Sequence, residues 1–139
     1  MSKVGISFGI CLSPEYNSNH LYNLINSIHK QSTSIDYEIL VIGKYRNDIE
    51  LPCDVKHIEF DESVKRAWIT RKKNILVSNS LYDNLCILHD YYILNDDWVE
   101  GFVRFNSENP DWKIMMNTIL RKEGDRHSDW LINQKYMDE

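Results

Sequence analysis

Large apolar side chains alternate with small ones across residues 4–12, where Val4, Ile6, Phe8, Ile10 and Leu12 are separated by Gly5, Ser7, Gly9 and Cys11. A period of two is that of a strand, and small residues on its second face suit a strand covered on both sides. Ser13-Pro14 stops this strand. Asn17 or Ser18 then caps a helix that carries Leu21, Leu24, Ile25 and Ile28 at helical spacing. Residues 37–43 form a continuous apolar run ending in Gly43, which predicts a second strand, and residues 55–60 a shorter third. Thr70 caps a second helix, with Ile75, Leu76 and Val77 expected inward. Residues 85–88 read as a buried strand that runs into His89-Asp90. Asp96 or Asp97 caps a third helix bearing Val99, Phe102 and Val103, and residues 113–120 read as a last strand.

Strands alternating with helices imply an α/β domain with a mostly parallel central sheet, helices on its faces and right-handed crossovers. Sheets of this kind bind ligands outside the carboxyl ends of their strands. The rule makes residues 11–16, 43–46 and 89–92 neighbours around one crevice. No glycine-rich phosphate loop follows the first strand. Gly5 and Gly9 lie inside it at the wrong spacing, which removes most of the case for a dinucleotide fingerprint or a P-loop.

The chain has 139 residues, the size of one domain. Its net charge is -5, which argues against a general nucleic-acid binder. The basic residues are nevertheless clustered, with Lys65, Arg66, Arg71, Lys72 and Lys73 close together. Such a cluster is either a solvated helix face or an anion site. Cys11, Cys53 and Cys86 have no zinc or redox spacing, and Cys11 and Cys86 sit in apolar runs, as buried free thiols of a reducing compartment do. No apolar run approaches the roughly 20 residues that span a bilayer. No secretory leader pattern opens the chain, so a cytoplasmic location is expected.

Three segments carry candidate chemistry. In residues 85–92 an apolar strand ends in His89-Asp90-Tyr91-Tyr92. A carboxylate at that edge is placed to hold a divalent cation against a diphosphate, or else it caps a loop or helix. The helix start Arg71-Lys72-Lys73-Asn74 puts cations where the helix macrodipole is positive, an arrangement that an anion relieves. The polar segment Gly124-Asp125-Arg126-His127-Ser128-Asp129-Trp130 follows the last predicted strand and supplies carboxylates and a histidine, or is a surface loop.

Taken together, residues 6–32, residues 37–43, Lys72-Lys73-Asn74, His89-Asp90-Tyr91 and the Gly124, Arg126, Asp129, Trp130 pattern resemble nucleotide-sugar glycosyltransferases of the A fold (GT-A), and among them the family-two-like members. The likeness covers nearly the whole chain, as a miniature or truncated member with a short acceptor side. It implies a GT-A-like, Rossmann-like domain, an NDP-sugar donor (UDP-sugar first), Mn²⁺ or Mg²⁺, and a glycan or other hydroxyl acceptor. It further implies that the main chain of Cys11, Leu12 and Ser13, with Tyr16, receives the base and ribose, flanked by Gly43, Lys44 and Arg46. Arg71, Lys73 and Asn74 would lie by the ribose or diphosphate, with His89 and Asp90 at the metal motif. Asp129, or failing it Glu123 or Asp125, would be the base of an inverting transfer, with donor hydrolysis as a side reaction. The chain departs from the family in two places. Asp90 is the one carboxylate of the metal motif, which makes His127 a second candidate ligand, and Ile42-Gly43-Lys44 stands where the family often has an acid.

The alternatives are a non-catalytic nucleotide-sugar-binding module, a nucleotidyltransferase and an interaction domain, with an oligomer left open. Trp68, Trp98 and Trp112 read as packing residues, whereas Trp130, next to Asp129, is the candidate sugar platform.

Overall fold

A computed structural model describes residues 5–31, 35–44, 51–52, 54–63, 69–113, 117–121 and 130–136, the last two stretches by their backbone alone. The chain divides into two compact units, one of Met1–Asn19 with Ile35–Asp90 and one of His20–Ser34 with Tyr91–Glu139.

The first unit is built on a four-stranded sheet in the order β3-β2-β1-β4, with every pair parallel. The strands are β1 (Gly5–Cys11), β2 (Asp36–Ile42), β3 (Val55–Ile58) and β4 (Asn84–His89). The α/β class and parallel sheet agree with the hydrophobic pattern. β1 is buried along its whole length, as alternation of large and small residues predicts. Its small-residue face receives α2 (Ile69–Asn79). Gly9 makes this possible, because a Cβ there would lie 2.9 Å from Leu76 Cδ1. Cys11, Leu40, Ile42, Phe60 and Leu76 form the core on that side.

α2 does not present the face expected of it. Leu76 is buried and Ile75 partly so, but Val77 is 57% exposed. The second buried residue of α2 is Lys72, one turn before Leu76, so the inward stripe runs through a lysine.

The second unit contains most of α1 (Ser18–His29), α3 (Trp98–Glu108) and a three-stranded sheet in the order β5-β7-β6. Its strands are β5 (Tyr92–Leu94), β6 (Asn117–Arg121) and β7 (Trp130–Tyr136). The expected last strand is present as β6, but it pairs antiparallel with β7 instead of joining the parallel sheet. β5 and β7 were not expected. β5 is only 3 residues long, and β7 directly follows a polar segment and is broken by Asn133, Gln134 and Lys135.

Helix caps divide between expectation and surprise. Asn17 Oδ1 accepts the Asn19 N–H at 2.9 Å, so Asn17 caps α1. Asp97 stands at the start of α3 without a side-chain cap bond. There the Val99 N–H goes to Gln31 Oε1 at 2.9 Å, and Gln31 Nε2 donates to Asn95 O (2.7 Å) and Ser27 O (3.0 Å). Gln31 thereby ties the end of α1 to the entry of α3. Trp98 is buried and stacks on Phe102, and Trp112 Nε1 donates to Asn106, in keeping with packing roles. Among the described residues no helix is long and apolar enough to cross a membrane.

Candidate functional site at the carboxyl edge of the parallel sheet

The strand register brings Cys11 opposite both Ile42 and His89, so the carboxyl ends of β1, β2 and β4 finish level with one another. Past Cys11 the chain keeps one more sheet bond, from Leu12 N–H to Ile42 O at 2.9 Å. Leu12 itself is 1% exposed, so its carbonyl needs a partner inside the protein. Lys72 Nζ supplies it at 2.8 Å. The next residue turns to β4, where Ser13 N–H and Ser13 Oγ both donate to Asp90 Oδ2, at 2.6 and 2.8 Å. A turn closes with Tyr16 N–H on Ser13 O at 3.2 Å.

β2 leaves the sheet at Gly43, whose φ of +141° is a backbone state that L side chains rarely adopt. A Cβ at this position would also lie 2.6 Å from Leu12 Cβ. The Gly43 N–H bonds Ile58 O at 3.1 Å. His57 Nε2 lies 2.7 Å from Gly43 O, and since a carbonyl only accepts, this nitrogen carries the proton.

Lys72 is fully buried. Its ammonium lies 2.7 Å from Glu62 Oε2 and 5.2 Å from the centre of the Phe60 ring. It therefore serves the interior, neither as part of a solvated face nor as an open phosphate ligand. Lys73 is half-buried, and its charge, like that of Lys72, reaches the sheet edge. Burial first, then Lys73, pushes the His89 imidazole down, with Asp90 opposing. Burial pushes the Cys11 thiol up, against the pull of Lys72 and Lys73. His89 is therefore a neutral ring at neutral pH, and Cys11 is a protonated thiol rather than a nucleophile.

Of the candidate residues, Cys11, Leu12, Ser13, Gly43, His89 and Asp90 are brought together at this edge. Tyr16 is 2% exposed, with its ring turned into the interior. Lys44, Arg71 and Asn74 are exposed. Arg46, Glu123, Asp125, His127 and Asp129 lie outside the described residues, as do Lys65, Arg66, Trp68 and the side chain of Trp130. Sequence reasoning missed Lys72 as an internal group, together with Glu62, Phe60 and His57. The signal for Lys72 was its place one turn from Leu76 on the apolar stripe.

Asp90 is 3% exposed and spends one oxygen on Ser13. Among the described residues no three His, Cys, Asp or Glu side chains gather as a cation would require. The described residues therefore do not by themselves fit a metal centre. No protein-family model matches this chain, and no curated protein matches it.

Proposed function

We propose that this chain binds a nucleotide-diphosphate sugar, UDP-sugar first, at the carboxyl edge of the parallel sheet and transfers the sugar to a hydroxyl acceptor. The observation that carries the reading is the convergence of the β1 exit turn, Gly43 and Asp90 at one sheet edge, with Lys73 charged beside it. Parallel sheets bind ligands at this edge. Arg71 in the first turn of α2 and Lys73 at the start of its second meet the diphosphate and take up the charge that grows on it as it leaves. The acceptor oxygen bonds to the anomeric carbon, the bond from that carbon to the diphosphate oxygen breaks, and the acceptor proton passes to a base. Asp129 is the sequence's candidate for that base, ahead of Glu123 and Asp125. Mn²⁺ or Mg²⁺ belongs to this reading only with ligands beyond the described ones joining Asp90, and His127 is the candidate. A reducing, cytoplasmic setting suits the free thiols of Cys11 and Cys86.

A non-catalytic nucleotide-sugar module is the second reading. The engagement of Asp90 Oδ2 by Ser13 favours it, because that oxygen already has a structural use.

A thermal-shift panel of UDP-, GDP-, CMP- and dTDP-sugars, with and without Mn²⁺, tests both. Saturation at a hundredfold excess over Kd adds about 2.7 kcal/mol of apparent stability. A shift with one nucleotide class supports the donor site, and release of free nucleotide then separates transferase from binding module. No shift with any donor sinks both.

A further inference from the structure

A buried ion pair is a poor source of stability, because the cost of desolvating both ions offsets their attraction. Lys72, fully buried and paired with Glu62, therefore calls for another explanation. Its remaining contacts supply one. The Lys72 ammonium donates to Leu12 O, and Asp90 Oδ2 accepts from Ser13 N–H. Those two atoms belong to one planar peptide unit, in which C=O and N–H point in opposite directions. A cation thus sits at the negative end of the peptide dipole and an anion at its positive end. Each contact polarises the peptide in the sense that strengthens the other. Rotating this plane breaks both bonds and leaves two buried charges short of partners.

We infer that Lys72 is a positioning residue that fixes the Leu12–Ser13 peptide, and through it the orientation of Asp90, in the conformation that receives the nucleotide diphosphate. This rests on the donor site proposed above. Lys72 does not touch the ligand. Glu62 and the Phe60 ring hold its ammonium in place, so that the exit turn of β1 is set before any ligand arrives.

The test compares the wild type with the double variant Lys72→Met/Glu62→Gln, which removes both charges together. Amide hydrogen exchange at Ser13 is read against that of the core amides of Ile39 and Leu40, which absorb any global loss of stability. Protection at Ser13 is expected to fall about tenfold or more beyond the change at those core amides. The Kd for UDP, measured with Mn²⁺ present, is expected to rise about tenfold. A purely structural lysine predicts that Ser13 follows the core amides and that UDP affinity is unchanged, and either result overturns the inference. If the wild type binds no UDP, the donor-site reading fails and the exchange measurement alone decides the role of Lys72. Should the double variant not fold, the wild-type Lys72 ammonium resonance is followed during addition of UDP with Mn²⁺. The inference expects it to move together with the Ser13 amide, and a Ser13 shift with Lys72 unmoved overturns it.

Discussion

Lys72 and Asp90 grip opposite ends of a single peptide unit, the ammonium on Leu12 O at 2.8 Å and the carboxylate on Ser13 N–H at 2.6 Å. Asp90 was legible in the sequence as a functional candidate, and a purely functional Asp90 would leave the fold intact when removed. The two bonds from Ser13 change that expectation. Asp90→Ala strands a backbone N–H and a hydroxyl in a part-buried place, at about 1–3 kcal/mol. Asp90→Asn keeps an oxygen that can accept and is expected to cost less. Denaturant unfolding of the two variants checks the order. Equal stability of Asp90→Ala and wild type would show that the Ser13 clamp is idle in solution.

Gly43 is the second fixed point of the edge. Gly43→Ala meets both an unfavourable φ of +141° and a Cβ only 2.6 Å from Leu12 Cβ. The backbone strain alone is worth about 1–3 kcal/mol. Because the blocked atom belongs to Leu12, the change is expected to disturb the Ser13 amide as well. Thermal unfolding with an amide spectrum of the variant measures both, and a change confined to residues near Gly43 would separate the two turns.

The parallel sheet was legible because β1 and β2 are apolar runs ended by Ser13-Pro14 and by Gly43, signals that depend on local chemistry alone. The positions of Asp90 and Ser13 followed from the rule for strand ends. What escaped was set by partners distant in sequence. Lys72 lies 60 residues from the carbonyl it serves, and its place one turn from Leu76 marks the inward stripe but not the partner that lets a lysine occupy it. Gln31 bonds Val99 across 68 residues, so the entry of α3 was assigned to the aspartates before it. β7 holds Trp130, Leu131, Ile132 and Tyr136 but is interrupted by polar Asn133, Gln134 and Lys135, and its strand state comes from pairing with β5 and β6.

Gln31 is the hinge pin of the second unit. It is 5% exposed, donates two bonds to carbonyls and accepts one from the Val99 N–H. Gln31→Ala is expected to cost about 2 kcal/mol through the groups left unpaired. Gln31→Glu has nearly the same shape but cannot donate to Ser27 O and Asn95 O while ionised. It is expected to be destabilised at pH 7 and to recover partly where the carboxyl takes up its proton. Unfolding of both variants at pH 7 and at acid pH, each against wild type, provides the check.

Glu38 gives the first unit a defined response to acid. Burial pushes its carboxyl up, but hydrogen bonds from Ser7 Oγ, the Leu81 N–H and Lys56 outweigh that cost and hold it below its ordinary value of 4.5. A carboxyl with a lower pKa folded than unfolded contributes stability that is complete above the unfolded value. As pH falls below about 4.5, the unfolded chain takes up the proton first, and the contribution is lost progressively until the folded carboxyl is protonated too. Above that window Glu38 adds no pH dependence. Glu38→Gln removes the titration, so the difference in unfolding free energy between wild type and variant is expected to be constant from pH 7 to pH 5 and to shrink below it. The measurement is denaturant unfolding across that range. A difference that stays constant down to pH 3 would mean that Glu38 is held no more tightly in the folded protein than in the unfolded chain.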